Sequence, residues 1–149
     1  MNAMLLLIVP LIVGVIHGPS VDTAAGENTH VKFEAGLAST KIKPGTKGEI
    51  IIFLTPAEGI HINTDPAMQF DFQKMNHVRF IGVTSLPKKK KTGYLDTDKP
   101  VRYTFTVDKK IEEGTYTLKG RVQYFFCSDA EGWCNRFTQS VELKFSVVK

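Results

Sequence analysis

Two cysteines, Cys127 and Cys134, are the only ones in the chain and stand seven positions apart. The segment between them is short and polar, and it contains Gly132 and the only tryptophan, Trp133. Two thiols at this spacing can form a permanent cross-link, exchange electrons with another protein, or help to bind a soft metal ion. Which use applies depends on the elements that hold the loop.

A structural cross-link is the ordinary use of two cysteines in an exported β-protein. The spacing weighs against it, because closing one short loop stabilises a fold by only about 2–2.5 kcal/mol through chain entropy. Cys127 has the opposite strand parity to the apolar residues before it, so we expect its sulfur to point away from the apolar stripe and to be reachable. Gly132 permits a tight turn, and Trp133 places a flat apolar surface beside Cys134.

Two carboxylates, Asp129 and Glu131, lie in the same loop. Their charge disfavours thiolate formation, whereas a carboxylate can also relay a proton during exchange, and both effects remain open. A metal site would need a further ligand such as His61, which is far upstream and reaches the loop only through the fold. We therefore predict no metal ligands, keep metal binding as an alternative, and expect His61 to be a strand-edge histidine with a backbone partner.

Alternating apolar and polar residues recur in short segments between turn signals, and no stretch has a convincing helical period. The pattern predicts a single all-β domain, an immunoglobulin-like β-sandwich of about seven or eight strands. Glu49 to Leu54 is a continuous apolar run and is predicted to be a central strand. Gly120 interrupts a strand pattern and indicates a bulge or a close backbone approach. The clearest alternating segments are 31–35, 68–72, 101–107, 116–126 and 141–147.

The N-terminus has the layout of a secretory signal peptide, with an apolar run over residues 4–16 and small residues up to Ala25. The run is shorter than the roughly 20 residues of a membrane-spanning helix. We predict a signal peptide over 1–25 and the mature domain over 26–149, exported to the periplasm or another extracytoplasmic compartment. Retention of the apolar segment as a membrane anchor is the alternative.

The formal charge is +4, and much of the excess is the run Lys88–Lys91. No aromatic or arginine-rich pattern accompanies it, so a solvated loop is favoured and no nucleic-acid partner is predicted. The run lies in a long loop, Ser85–Lys99, and such loops in compact domains are often functional. The chain contains no serine-hydrolase, phosphate-loop or zinc-protease motif.

Two motifs resemble the N-terminal periplasmic domain of the thiol:disulfide interchange protein DsbD. One is Tyr124–Cys134, an aromatic strand end followed by a Cys-x-Asp-Ala and Gly-aromatic-Cys loop; the other is Lys43–Gly45 followed by Gly59–Asn63. Together with the alternating strands they cover most of residues 30–147. The loop is one residue longer than the family's, with Glu131 as the insertion, and the continuation after Cys134 also differs.

The resemblance implies an immunoglobulin-like sandwich whose cysteines shuttle between dithiol and disulfide, as in electron transfer for cytochrome c biogenesis. It implies that Cys134 forms the mixed disulfide with partners, that Cys127 resolves it, and that Tyr94 shields the pair. It implies no cofactor beyond the redox-active disulfide. The partners would be a thioredoxin-like or membrane-embedded reductase as electron donor and periplasmic disulfide-containing proteins as acceptors. A binding or adhesion module with a purely structural disulfide is the alternative.

Overall fold

The computed structural model describes residues 28–149, which form nine β-strands and no helix. The predicted signal peptide over 1–25 lies outside the described residues. Across 28–149 no helix is long and apolar enough to cross a membrane. The strands are β1 (Val31–Leu37), β2 (Lys41–Ile42), β3 (Lys47–Pro56), β4 (Ile60–Ile62), β5 (Gln69–Phe72), β6 (Val78–Ser85), β7 (Val101–Val107), β8 (Gly114–Ser128) and β9 (Trp133–Val147).

The strands form two sheets, one of order β1-β3-β7-β6 and one of order β2-β9-β8-β4, with β5 also paired to β8. In immunoglobulin nomenclature the first sheet has the arrangement A-B-E-D and the second contains G-F-C. β4 and β5 together occupy the position of strand C. At the other edge of this sheet, β2 pairs with β9 in parallel orientation. The prediction of an all-β immunoglobulin-like sandwich in a single domain is confirmed.

The core lies between the inner faces of the two sheets and is filled by the apolar residues of each strand's inward parity. In β8 the inward residues include Tyr124 and Phe126, both buried. Burial raises the pKa of Tyr124, whose hydroxyl accepts a hydrogen bond from Asn28 Nδ2 at 3.0 Å. The largest fully buried side chains are Tyr124, Phe105, Phe145, Ile50, Ile52, Leu54, Ile62, Leu118, Val31, Val101 and Val122.

The longest pairing is the hairpin of β8 and β9, in which both strands have 15 residues and pair along their whole length. β3 lies between β1 and β7, which confirms the central strand predicted at Glu49 to Leu54. The structure has more strands than the predicted seven or eight. The difference comes from very short strands, since β2 and β4 have only two and three residues. Both are too short to show an alternating pattern in the sequence.

Gly120 lies at a close backbone approach, as predicted. A Cβ atom there would stand 2.4 Å from Phe72 Cδ1 and 2.7 Å from the backbone oxygen of Asp71, both on the neighbouring strand β5. Only glycine therefore lets β5 lie against β8 at this point. This contact holds β5, which forms one end of strand C, against β8. β4 forms the other end of strand C and lies beside the cysteine loop.

Candidate functional site

Cys127 and Cys134 are directly opposite each other at the end of the β8–β9 hairpin and form a disulfide, with the Cα atoms 4.0 Å apart. The loop beyond them is a tight turn. The amide of Gly132 donates to the carbonyl of Ser128 at 2.9 Å, and Gly132 has a φ of 70°, a left-handed conformation that favours glycine. Local hydrogen bonding in the turn thus supports the register in which the two cysteines face each other.

The two cysteines differ in exposure. Cys134 is exposed, whereas only 5% of Cys127 is accessible. Cys127 has the parity opposite to Phe126, as the sequence predicted, but the expectation that its sulfur is reachable was wrong. The reason is β4, which pairs with this end of β8, and Asn63 just after it, whose Nδ2 donates to Cys127 Sγ at 3.1 Å.

His61 lies in β4 directly opposite Cys127 on β8. Its ring stacks on that of Tyr94, with centroids 3.7 Å apart and planes inclined by 10°, and its Nδ1 stands 3.5 Å from Asp129 Oδ2. The side chain is 15% exposed. His61 lies in an edge strand, β4, as predicted. The ring of His61, however, contacts side chains and not the backbone partner that was expected.

Tyr94 is carried to the site by the segment 85–99, called here the tyrosine loop. Leu95, next to Tyr94, is 2% exposed, and its amide donates to the carbonyl of Ile62 in β4 at 2.9 Å. The hydroxyl of Thr64 donates to the carbonyl of Gly93 at 2.6 Å. These contacts anchor the tyrosine loop over β4 and place the Tyr94 ring beside the cysteine pair.

The base of the tyrosine loop carries an exposed ion pair. Lys99 Nζ lies 2.8 Å from Asp96 Oδ2, and this hydrogen bond lowers the pKa of Asp96 and raises the pKa of Lys99. Solvent screens such a pair, so it orients the loop more than it stabilises the fold. The run Lys88–Lys91 is exposed at the far end of the loop.

Trp133 and Glu131 interact within the hairpin loop. The indole Nε1 of Trp133 donates a hydrogen bond to the Glu131 carboxylate. The indole also packs edge-on against Phe126, with centroids 6.0 Å apart, and lies 5.1 Å from the ring of His30. Trp133 therefore ties the turn to the core, while Asp129 and Glu131 remain exposed.

These elements enclose an open pocket of about 510 Å³. It is lined by both cysteines, His61, Asn63 and Tyr94, and by residues of the hairpin loop that include Asp129 and Trp133. Five of the six predicted site residues, Cys127, Cys134, Tyr94, Asp129 and Trp133, thus meet in one place, and Glu131 lies beside them on Trp133. Within residues 28–149 no three His, Cys, Asp or Glu side chains are arranged to hold a metal ion.

Asn63 belongs to the site although it was not among the predicted site residues. Its Nδ2 contacts the sulfur of Cys127, while its Oδ1 is the one buried side-chain acceptor of the described residues without a hydrogen-bond partner. The available signal was a polar residue directly after the short apolar run Ile60–Ile62. Its place beside a cysteine follows only from the pairing of β4 with β8.

Comparison with known proteins gives little guidance. No protein-family model matches the chain, and no curated protein matches it significantly. Among solved structures, the chain is similar to a family 123 glycoside hydrolase from Clostridium perfringens, with a TM-score of 0.33 and 9% sequence identity. That alignment covers 79% of this chain but only 28% of the hydrolase chain. A likeness this weak carries no argument about function.

Proposed function

We propose that this protein is an extracytoplasmic thiol:disulfide exchange protein of the protein-disulfide reductase type, in which Cys127 and Cys134 alternate between dithiol and disulfide. The observation that carries the proposal is the unequal placement of the two sulfurs in one open pocket. Cys134 is exposed, and Cys127 beneath it is 5% accessible. A partner can reach one sulfur while the other stays sheltered for the second step.

The modest structural value of the cross-link supports a redox role. β8 and β9 pair residue by residue from Gly114 to Ser128, and the turn beyond them is closed by its own hydrogen bonds. A disulfide that closes so short a loop contributes only about 2–2.5 kcal/mol by chain entropy. The fold therefore has little need of a permanent bond at this position.

Exchange would proceed by thiolate attack through mixed disulfides. A donor thiolate attacks the sulfur of Cys134, and the intramolecular bond breaks to release Cys127 as a thiolate, which takes up a proton. The second donor thiolate then attacks the donor sulfur of the mixed disulfide, which releases Cys134 as a thiolate. The donor leaves oxidised, and the protein holds two electrons as a dithiol.

The second half of the cycle repeats these steps with an acceptor. The Cys134 thiolate attacks an acceptor disulfide and forms a mixed disulfide, and one acceptor thiolate leaves. Cys127 then attacks Cys134, which releases the second acceptor thiolate and restores the disulfide. Two electrons pass from donor to acceptor without a cofactor. The donor class proposed is a thioredoxin-like or membrane-embedded reductase, and the acceptors are periplasmic proteins with disulfides.

Trapping of the mixed disulfide tests this assignment. A Cys127→Ser variant keeps the exposed Cys134 but lacks the resolving sulfur, so it should accumulate reductant-sensitive adducts with proteins of an extracytoplasmic extract. The matched Cys134→Ser variant keeps only the sheltered Cys127 and should trap far less. Equal trapping by both variants, or none by either, would contradict the proposal and favour a binding module with a structural disulfide.

A further inference from the structure

We propose that His61 is the proton acceptor and donor for Cys127 during exchange, and that Asp129 holds the charged form of His61. This role rests on the proposed function, because it has a purpose only if the disulfide opens and closes. Nothing in the sequence around the cysteines supplies a base of this kind. The group is brought to the site by the pairing of β4 with β8.

The placement of His61 suits proton transfer to and from Cys127. Directly opposite residues of antiparallel strands have their Cβ atoms about 4.5–5.5 Å apart and on the same face of the sheet. His61 and Cys127 are such a pair, and both side chains line the same pocket. When the disulfide opens, the freed sulfur of Cys127 lies on the strand face that it shares with the imidazole.

Cys127 needs such a group because of its burial. With 5% of the residue accessible, bulk water has poor access to its sulfur. The only hydrogen bond recorded for that sulfur in residues 28–149 comes from the amide of Asn63, which cannot exchange a proton under ordinary conditions. Cys134 is exposed and can exchange its proton with water directly. The need for a protein base therefore falls on one cysteine of the pair.

The groups that face His61 come from three different segments of the chain. The carboxylate of Asp129, on the hairpin loop, is 3.5 Å from Nδ1. From the tyrosine loop the facing group is the Tyr94 phenol, whose ring stacks on the imidazole and stabilises a cation by its π-face. Asp65, after β4, and Cys134, on β9, are the other titratable groups that line the pocket. Among residues 28–149, no lysine or arginine lines the pocket.

The proton balance is complete in both directions. When a donor attacks Cys134, Cys127 leaves as a thiolate and takes a proton from the His61 imidazolium. When Cys127 attacks a mixed disulfide on Cys134, its thiol first gives its proton to neutral His61. Asp129 stays ionised throughout and stabilises the imidazolium, as a carboxylate does beside a catalytic histidine.

The experiment separates the two cysteines by using reduced protein and one equivalent of dithiobis(nitrobenzoate). Attack by Cys134 releases a first coloured thiolate, and attack by Cys127 on the resulting mixed disulfide releases a second. In His61→Gln we expect the second release to slow about tenfold or more near neutral pH, since general-base catalysis is commonly worth a factor of 10² or more. The first release should stay within about twofold.

The pH profile distinguishes proton transfer from a structural effect. The second release should level off near neutral pH in the unaltered protein. In His61→Gln it should continue to rise towards the ordinary titration of a thiol at about pH 8.5. The control is His30→Gln, because His30 lies near Trp133 but does not line the pocket, and both releases should be unchanged. Should His61→Gln fail to fold, Asp129→Asn, which alters a 74% exposed side chain, is expected to slow the second release about threefold.

The outcomes separate the two proposals. An unchanged rate and pH profile of the second release in His61→Gln would overturn the role of His61 and leave the exchange function standing. If only Asp129→Asn folds, an unchanged second release in it would overturn the proposal likewise. If the unaltered protein gives no second release, or Cys134 does not react, the proposed function itself fails.

Discussion

Tyr94 is the residue that we propose restricts access to the cysteine pair. Its ring lies flat against His61, with centroids 3.7 Å apart, and both residues line the pocket. The residue is half-buried, so solvent reaches part of it. The structure brings the predicted shielding residue to the site, and the shielding itself is a matter for measurement.

Replacement of Tyr94 by alanine tests whether the ring restricts approach to the sulfurs. In the reduced protein, Tyr94→Ala should speed alkylation of the thiols about three- to tenfold, because it opens one wall of the pocket that they line. Iodoacetamide labelling followed by mass spectrometry gives the rate at each cysteine. Tyr94→Phe keeps the ring and should label at the unaltered rate. If alanine leaves the rate unchanged, Tyr94 is not a cap.

At the scale of single residues, the sequence predicted which residues belong to the site better than it predicted what surrounds each of them. Strand parity correctly set Cys127 apart from Phe126, but it could not reveal that β4 and Asn63 cover the sulfur. Coverage of this kind depends on pairing between segments that are far apart in the chain. Asn63 and Cys127, for example, are 64 positions apart. Local alternation contains no information about such distant neighbours.

The tyrosine loop forms one wall of the pocket, and its anchor is Leu95. This side chain is 2% exposed and belongs to the main apolar core, although residues 86–99 contain no strand. The backbone bond from Leu95 to Ile62 then fixes the height of the loop above β4. The position of Tyr94 thus depends on a neighbour that never touches the reacting atoms.

Leu95→Ala should therefore alter both stability and access. We expect the free energy of unfolding to fall by about 2–4 kcal/mol, the usual loss for a buried leucine truncated to alanine, and alkylation of the reduced thiols to accelerate. Urea denaturation and timed labelling measure the two effects. Lys90→Ala, at the exposed end of the same loop, should stay within about 0.5 kcal/mol and leave access unchanged. A stability loss without faster labelling would contradict the anchoring role.

A substitution at Gly120 tests how closely β5 must approach β8. Gly120→Ala should destabilise the fold by about 1–3 kcal/mol, because its Cβ would stand 2.7 Å from a backbone oxygen that cannot move independently of β5. Gly36→Ala is the matched control, since a Cβ there has no neighbour within 4 Å. Thermal unfolding of both variants provides the comparison. Equal unfolding midpoints would show that β5 can shift away from β8 without loss of stability.

Elements with a full alternating pattern were predicted well, and very short ones were missed. β7 has the bounds Val101–Val107 that its alternation indicates. β4, with three residues, gives no periodic signal, yet it carries His61 to the cysteines. The physical reason is that three residues are too few to show an alternating period, although Ile62 is buried in the core and Ile60 packs against it.

Across the whole molecule, the sandwich is stabilised by its core and its strand pairing, and the disulfide lies at one end of it. The immunoglobulin-like sandwich was predictable because alternating strands separated by turns have few ways to bury their apolar faces. The pocket was not predictable in the same way, because three separate segments of the chain build it: β4 with the residues just after it, the tyrosine loop, and the end of the β8–β9 hairpin.

Removal of both sulfurs should consequently leave the fold intact. A Cys127→Ala/Cys134→Ala variant is expected to lose no more than about 2–2.5 kcal/mol relative to the oxidised protein, the chain-entropy value for so short a loop. Guanidinium denaturation measures the loss, and far-UV circular dichroism checks that the strands persist. A variant that does not fold would identify the bond as a structural requirement and contradict a redox role.

The reduction potential of the Cys127–Cys134 pair tests the central claim most directly. Equilibration with glutathione redox buffers, followed by labelling of free thiols, gives its value. An exchange protein should have a potential between about −120 and −270 mV, the range of known thiol–disulfide oxidoreductases. A value below about −300 mV, where structural disulfides of secreted proteins lie, would contradict the account.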